Sequence, residues 1–439
     1  MTIAVFAVAL AVYGVAAGAR LNTQSSDRHF IAQAEAWTHG RLDLERWPEG
    51  ADDPAVVEHV LLDDGRAVKG RRLLRSEVFR IAGGEDVPAS RVRESRGSEF
   101  HVAFPPFPAA VFVPLVLMFG PAVSDVRVTV VAAAIVPVLF LSVLGRLRSR
   151  GLMHRHPHDD FWLAALLSCG TVLFFCGVQG RVWYTAHVFA VVLCLGYVWA
   201  SIESAYPLMA GACLGLAFLT RAPMLFMSPL FIVELWRSGR LHEWRRWMLF
   251  AAPVAAAGAF AAWHNAMRFD DVMEFGHSYL RVRQQVDIER YGLFSLHYVV
   301  RNATAALALL PAIGAASPYV TISGHGLAMW FTSPPLVRLA GAWPRTSFQA
   351  GLWITAVSVG VWTLLYQNTG WFQFGFRFSL DYIVFLLLIL AVDTRPLTRL
   401  AKGLIVAAVV INTFGAVTFN RYPQFYRADR AAYEALVHD

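Results

Sequence analysis

Runs of fifteen to twenty apolar residues recur along the whole of this chain. About twenty such residues form a helix that covers the hydrocarbon core of a bilayer. Of the 439 residues, 56% are hydrophobic and 16% charged, whereas a water-soluble domain carries roughly a quarter charged residues. The pattern predicts an all-α polytopic membrane protein. Net charge is +7 and almost all of it is arginine, since Lys69 and Lys402 are the only lysines. The arginines are scattered through short loops between apolar runs, which marks topology rather than a nucleic-acid surface. Cys169, Cys176, Cys194 and Cys213 all lie inside apolar runs, with neither disulfide nor metal spacing.

Spans are expected at 2–19, 126–145, 161–177, 185–203, 206–219, 222–236, 247–263, 323–341, 348–366, 378–392 and 403–419. The first lacks the basic n-region of a signal sequence, so it reads as a retained transmembrane helix. Arg146, Arg148, Arg150 and Arg155 form one basic cluster, and Arg237, Arg240, Arg245 and Arg246 a second. Arg395, Arg399 and Lys402 form a third. The positive-inside rule places all three in the cytoplasm. Segment 104–119 then cannot cross, and Pro105, Pro106 and Pro108 open it as an interfacial or re-entrant helix. The organisation expected is a first span at 1–19, an extracytoplasmic loop at 20–125 and a helix bundle at 126–263. A second extracytoplasmic loop at 264–322, spans within 323–419 and an external tail at 420–439 complete it. That makes about eleven spans with the N-terminus inside.

The first loop opens with SSDRHF and an amphipathic helix near 28–40, with Phe30, Ala34, Trp37 and Leu42 on one side. Further on, Asp64-Gly65 between alternating apolar residues predicts a β-hairpin. The second loop carries His264, His277, Arg281 and Arg283.

No phosphate-cradling glycine loop, HExxH or GxSxG is present, and no nucleotide-binding domain. Ionisable residues gather instead at the outer ends of the spans. Asp27 has two readings: a cap on the following helix, or a general base at the membrane surface. Arg181, Arg221 and Arg377 fit either a snorkelling role or a lipid phosphate, which the planar guanidinium fork suits. Trp183, Tyr184, Trp371, Phe372, Phe374 and Phe376 fit an interfacial belt or a platform for a sugar. His101, His187 and Gln373 are further substrate-binding candidates at the same edges. His154, His156, His158, Asp159 and Asp160 resemble a metal cluster by composition but read as a solvated cytoplasmic turn.

The order of a first span, SSDRHFIAQAEAWTHGRL and FHVAFPPFPAAVFVPLVLMFG resembles the start of the polyprenyl-phosphate-sugar-dependent GT-C glycosyltransferases. That family includes protein O-mannosyltransferases, the aminoarabinose transferase of lipid A, and actinobacterial arabinosyl- and mannosyltransferases. GLAFLTRAPMLFMSPL and GWFQFGFRFSLDYIVFLLLILA resemble its later spans. The resemblance implies a plasma- or inner-membrane enzyme that moves a sugar from a polyprenyl-phosphate donor to an extracytoplasmic glycan, lipid or protein. It makes Asp27 the base and Arg377, Arg221 and Arg181 the holders of the carrier phosphate. No cofactor is implied with certainty. Arg28 stands where many relatives have a second acidic residue, which weakens the case for a divalent metal. A flippase for a lipid-linked sugar and a non-catalytic membrane scaffold are the rival readings. A flippase would need polar residues at mid-membrane depth, and those are scarce here.

Overall fold

The computed structural model describes residues 2–74, 76–282 and 284–427, so Arg283 and the tail from residue 428 lie outside the described residues. Helix α1 (Thr2–Ala17) leads through an irregular stretch to α2 (His29–Thr38). Five strands follow: β1 (Ala55–Leu62), β2 (Ala67–Arg72), β3 (Val78–Ile81), β4 (Asp86–Pro88) and β5 (Val92–His101). The next helices are α3 (Phe107–Phe119), α4 (Asp125–Ser149), α5 (Pro157–Cys169), α6 (Leu173–Cys176), α7 (Val182–Ser201), α8 (Pro207–Phe218), α9 (Pro229–Arg237) and α10 (Trp244–Phe269). The segment after α10 holds α11 (Gln285–Tyr291), α12 (Val299–Leu307), β6 (Ala312–Ile313) and β7 (Val320–Ser323). Helices α13 (Met329–Thr332), α14 (Ser347–Leu365), α15 (Ile383–Val392) and α16 (Arg399–Thr418) and strand β8 (Tyr426–Arg427) complete the order.

Among the described residues, six helices are long and apolar enough to cross a bilayer: Thr2–Asn22, Asp125–Ser149, Val182–Ser204, Trp244–Phe269, Ser347–Leu365 and Arg399–Thr418. The chain is a helical membrane protein. Other expected spans are shorter or broken. Helix α8 stops where the backbone N–H groups of Thr220 and Arg221 both turn back to the Ala217 carbonyl. Pro223 then opens a 3-10 turn that leads into α9. Segment 323–341, expected as one helix, is instead the end of β7, the single turn α13 and a 3-10 stretch at Pro334–Gly341. Gly324, Gly326 and the Pro334-Pro335 pair interrupt it, because proline supplies no N–H and blocks the turn before it. Helix α15 likewise begins only at Ile383, after a 3-10 turn at Arg377–Asp381.

The expected hairpin is present. Leu62 and Arg66 close it through Leu62 N–H to the Arg66 carbonyl at 2.9 Å, with Gly65 at φ 87° between them. Asp64 Oδ1 accepts from the Arg66 N–H at 3.0 Å, an Asx turn that fits aspartate there. The hairpin is the centre of a larger antiparallel sheet ordered β4-β3-β2-β1-β5.

Polar contacts distinguish two ends of the bundle. Arg150 pairs with Glu203 at 2.9 Å, and Arg240 and Arg246 donate to the Glu203 and Ser204 carbonyls at 2.7 Å each. Arg155 donates to the Leu390, Ala391 and Asp393 carbonyls at 2.8 Å, and Arg395 pairs with Asp393 at 2.7 Å. The three basic clusters therefore meet at one end. At the other, Ser25 hydrogen-bonds Asp125, Phe107 N–H donates to the Leu219 carbonyl and Arg268 donates to the Val102 carbonyl. Both ends of α3 belong to this second end: Phe107 meets Leu219, while the Pro121 carbonyl accepts from Gln24 at 2.6 Å. Between the two ends lies an apolar core in which Phe140, Phe175, Tyr197 and Phe231 are fully buried.

Buried Glu234 anchors the basic end, accepting two bonds from Arg237 at 2.7 Å and one from the Glu203 N–H at 2.6 Å. Removing one partner of a buried pair strands the other charge. Glu234→Ala should therefore lower stability by about 3 kcal/mol, read as reduced thermal stability of the purified protein in detergent.

Candidate functional site

The second end contains a cavity of about 580 Å³, and its construction begins at the head of α7. Gly180 adopts φ +72°, and a Cβ there would lie 2.7 Å from the Val126 backbone nitrogen, so only glycine fits. This tight turn brings the start of α7 against α4 and against the SSD stretch, where the Val182 N–H donates to the Asp27 carbonyl at 3.1 Å. Arg181, Trp183 and Tyr184 then face the cavity. The corner after α8 contributes Arg221, and the strap between α14 and α15 contributes Trp371, Phe372 and Arg377. The three arginines expected from the sequence thus share one cavity, although they come from three separate parts of the chain.

Their charges are compensated differently. Arg181 Nε lies 3.2 Å from Asp27 Oδ2. Arg221 makes a two-pronged pair with buried Asp381, at 2.5 and 2.8 Å. Arg377 has no carboxylate partner among the described residues. It is 4% exposed, donates through Nη1 to the Gly370 carbonyl, and leaves its buried Nε without a hydrogen-bond partner. Its guanidinium carbon sits 5.5 Å from the Tyr184 ring centre and 5.3 Å from that of Phe378. The Arg221 guanidinium lies 5.4 Å from the same Phe378 ring, so two cations flank one aromatic side chain.

Asp27 is not a helix cap. The N-cap position of α2 is Arg28, which makes no side-chain cap bond. Asp27 is 1% exposed and fully engaged: Oδ1 accepts from the Asp52 N–H at 3.0 Å, and Oδ2 meets Ser26 Oγ at 2.6 Å as well as Arg181. It therefore stands behind Arg181 and does not line the cavity. Ser25 binds the buried carboxylate of Asp125 at 2.5 Å through its hydroxyl and 2.9 Å through its N–H. All three residues of the stretch are thus held by side-chain contacts.

Among the other expected residues, Trp183, Tyr184 and Trp371 line the cavity. The Tyr184 hydroxyl is committed to the Phe372 carbonyl at 2.8 Å. Gln373 is buried and structural: its Nε2 donates to the His325 and Thr369 carbonyls, and its Oε1 accepts from the Arg377 N–H at 2.9 Å. It holds the strap that carries Arg377 rather than facing a ligand. His187 lies deeper along α7, fully buried, with Nδ1 3.2 Å from Asp381 Oδ1. His101 is buried at the end of β5 between Glu99 and the Leu42 carbonyl, away from the cavity wall. The histidine-rich turn is split among separate contacts: His156 caps α5, Asp160 pairs with Arg148 and Asp159 with Lys402.

Asp53, His277, Arg281 and Tyr366 also line the cavity; the sequence marked His277 and Arg281 only as residues of the second loop, and Asp53 and Tyr366 not at all. Asp53 Oδ2 accepts from Trp183 Nε1 at 3.0 Å, and burial pushes its carboxyl pKa above the ordinary range. Burial, with a smaller contribution from Arg268, lowers His277 to about 4, which leaves it neutral at physiological pH. Among the described residues, no three His, Cys, Asp or Glu side chains converge to hold a cation. With Arg181 already supplying the countercharge of Asp27, the donor set does not suit a divalent ion.

Comparison with protein-family profiles, curated proteins and solved structures finds no match for this chain.

Asp381 is the countercharge that lets Arg221 stand at the cavity wall. Asp381→Asn should leave that guanidinium uncompensated and cost about 3 kcal/mol, measured as a lower unfolding temperature than that of Arg221→Gln/Asp381→Asn, in which both charges are gone.

Proposed function

We propose that this chain is an inverting glycosyltransferase of the polyprenyl-phosphate-sugar-dependent GT-C kind, working at the extracytoplasmic face of a cell membrane. One observation carries the reading: Arg377 is a buried cation, without a carboxylate partner among the described residues, in a cavity that Arg181 and Arg221 also line. An unpaired buried charge is costly unless an opposite charge joins it. A phosphate suits such a place, because guanidinium groups present paired donors to its oxygens. Apolar and aromatic side chains such as Pro223, Phe294 and Trp362 line the same cavity, which suits a phosphate borne on a lipid.

The donor's anomeric carbon would face the acceptor while its phosphate rests against Arg377 and Arg221. Positive groups fixed before the reaction stabilise the charge that builds on the leaving phosphate, without reorganising at that moment. Trp183 and Trp371 offer flat faces to a sugar ring. The resemblance assigns the acceptor's proton to Asp27, whose carboxylate lies behind Arg181.

About eleven crossings belong to this reading. On it, α5 with α6, α8, α9, residues 327–341 and α15 would cross beside the six long helices. The basic end would lie in the cytoplasm, with the sheet and cavity outside. The apolar core between the two ends supports chemistry at one surface over a flippase pathway through both.

Two measurements test the proposal. Arg377→Ala should weaken equilibrium binding of farnesyl phosphate by about tenfold or more, and unchanged affinity would reject the phosphate site. A cysteine introduced at Arg93 should react with a membrane-impermeant maleimide added to intact cells, and one at Arg150 only after permeabilisation. The opposite pattern would invert the topology and exclude an extracytoplasmic site.

A further inference from the structure

Two carboxylates, Asp27 and Asp53, meet at one corner of the cavity, and their surroundings differ in kind. The Asp27 carboxylate is enclosed by Arg181, Ser26 and the Asp52 N–H and has no cavity surface. Asp53 lines the cavity. Its Oδ2 is held by Trp183 Nε1, and its Oδ1 accepts from no described residue. A general base must come within hydrogen-bond reach of the proton it removes; Asp52 lines the cavity too but is exposed, and of Asp27 and Asp53 only Asp53 lines the space a substrate would fill.

The loop around Asp53 is fixed from several directions. The Asp52 N–H donates to Asp27 Oδ1, and His29 Nε2 donates to the Asp52 carbonyl at 2.8 Å. The Arg281 N–H donates to the Pro54 carbonyl at 3.0 Å. Asp53 itself is a non-glycine residue at φ +58°, a left-handed conformation that persists only where the surroundings enforce it. These bonds fix the backbone on both sides of a residue that lines the cavity.

We infer that Asp53 is the catalytic base and that Asp27 is a positioning residue, which holds Arg181 by charge and the Asp53 loop through the Asp52 N–H. The inference rests on the glycosyl-transfer reading above. In the step it serves, the acceptor hydroxyl proton passes to Asp53 Oδ1 as the acceptor oxygen bonds to the anomeric carbon. The bond from that carbon to the phosphate oxygen breaks, and its electron pair leaves with the polyprenyl phosphate. The product has inverted configuration, and Asp53 returns its proton to solvent.

A base must be ionised, so transfer should fall as pH drops through the Asp53 pKa. The groups facing Asp53 are Asp27, His29, Asp52, Tyr366 and Trp183. Burial raises its pKa most, while His29 and the Trp183 hydrogen bond oppose that rise. Removing the Trp183 bond should therefore move the acid limb of the pH profile to higher pH.

The test uses the full chain in lipid nanodiscs, farnesyl-phosphate-linked mannose and arabinose as donors, and octyl glycosides as acceptors. Asp53→Asn should lower transfer by about 100-fold or more while farnesyl phosphate binds within twofold of the parent protein. Asp27→Asn should weaken that binding, reduce transfer less, and keep the acid limb. Trp183→Phe should shift the limb upward, which reports on Asp53 even if the asparagine variant folds poorly. A smaller loss in Asp53→Asn overturns the assignment, as does a loss of the acid limb in Asp27→Asn with donor binding intact. If the unaltered chain binds farnesyl phosphate but transfers neither sugar, the transferase reading fails and the role of Asp53 falls with it.

Discussion

The Asp27 carboxylate joins three parts of the chain at one buried point. Through Arg181 it fixes the head of α7, through the Asp52 N–H it fixes the loop that ends the α2 region, and its backbone carbonyl receives the Val182 N–H. Such a charge is stable out of water only when its bonds are completed. Removing any one partner would therefore disturb the other two, and with them two walls of the cavity. The Asp125 carboxylate extends the arrangement by holding Ser25, so the SSD stretch is clamped between α4 and α7.

Charge placement follows one physical rule at both ends of the molecule. At the basic end each buried or half-buried cation meets a carboxylate or helix-end carbonyls, as Arg237 meets Glu234 and Arg155 meets the end of α15. Of the four arginines that line the cavity, Arg181, Arg221 and Arg281 meet carboxylates, whereas Arg377 has only carbonyl partners among the described residues. Exceptions to charge pairing in a buried setting point to a missing ligand more strongly than surface charges do.

Some of this was legible in the sequence because it rests on local rules. Apolar length gave the long helices, Asp64-Gly65 gave the hairpin, and basic loops gave the two ends. Arg181, Arg221 and Arg377 were recognisable because each sits where an apolar run begins or ends, close to the expected outer boundary of the membrane. What local rules cannot express was lost. Segment 323–341 has the apolar content of a helix, yet its glycines and paired prolines break it. Asp381 is a lone acid at the head of the apolar run DYIVFLLLILA, a usable signal for an intramembrane partner. Its pairing with Arg221, 160 residues away in sequence, depends on the tertiary fold. Asp53 was hidden for a different reason. In a loop rich in both charges, nothing marks one acid until the fold shows which of them faces inward.

The two carboxylates at the cavity corner show why position after the first span is an incomplete guide to role. Asp27 has the sequence position of a base, but an arginine and a backbone N–H saturate its oxygens. A carboxylate so committed has no oxygen left to approach a hydroxyl. Asp53 is partly desolvated and half-satisfied, which raises its proton affinity and leaves an acceptor site open. Neighbouring titratable groups whose environments diverge can take separate roles in one reaction. Here the divergence follows from connectivity. The residue that binds Arg181 is drawn into the wall, and its bond to the Asp52 N–H turns the next residue of the chain toward the cavity.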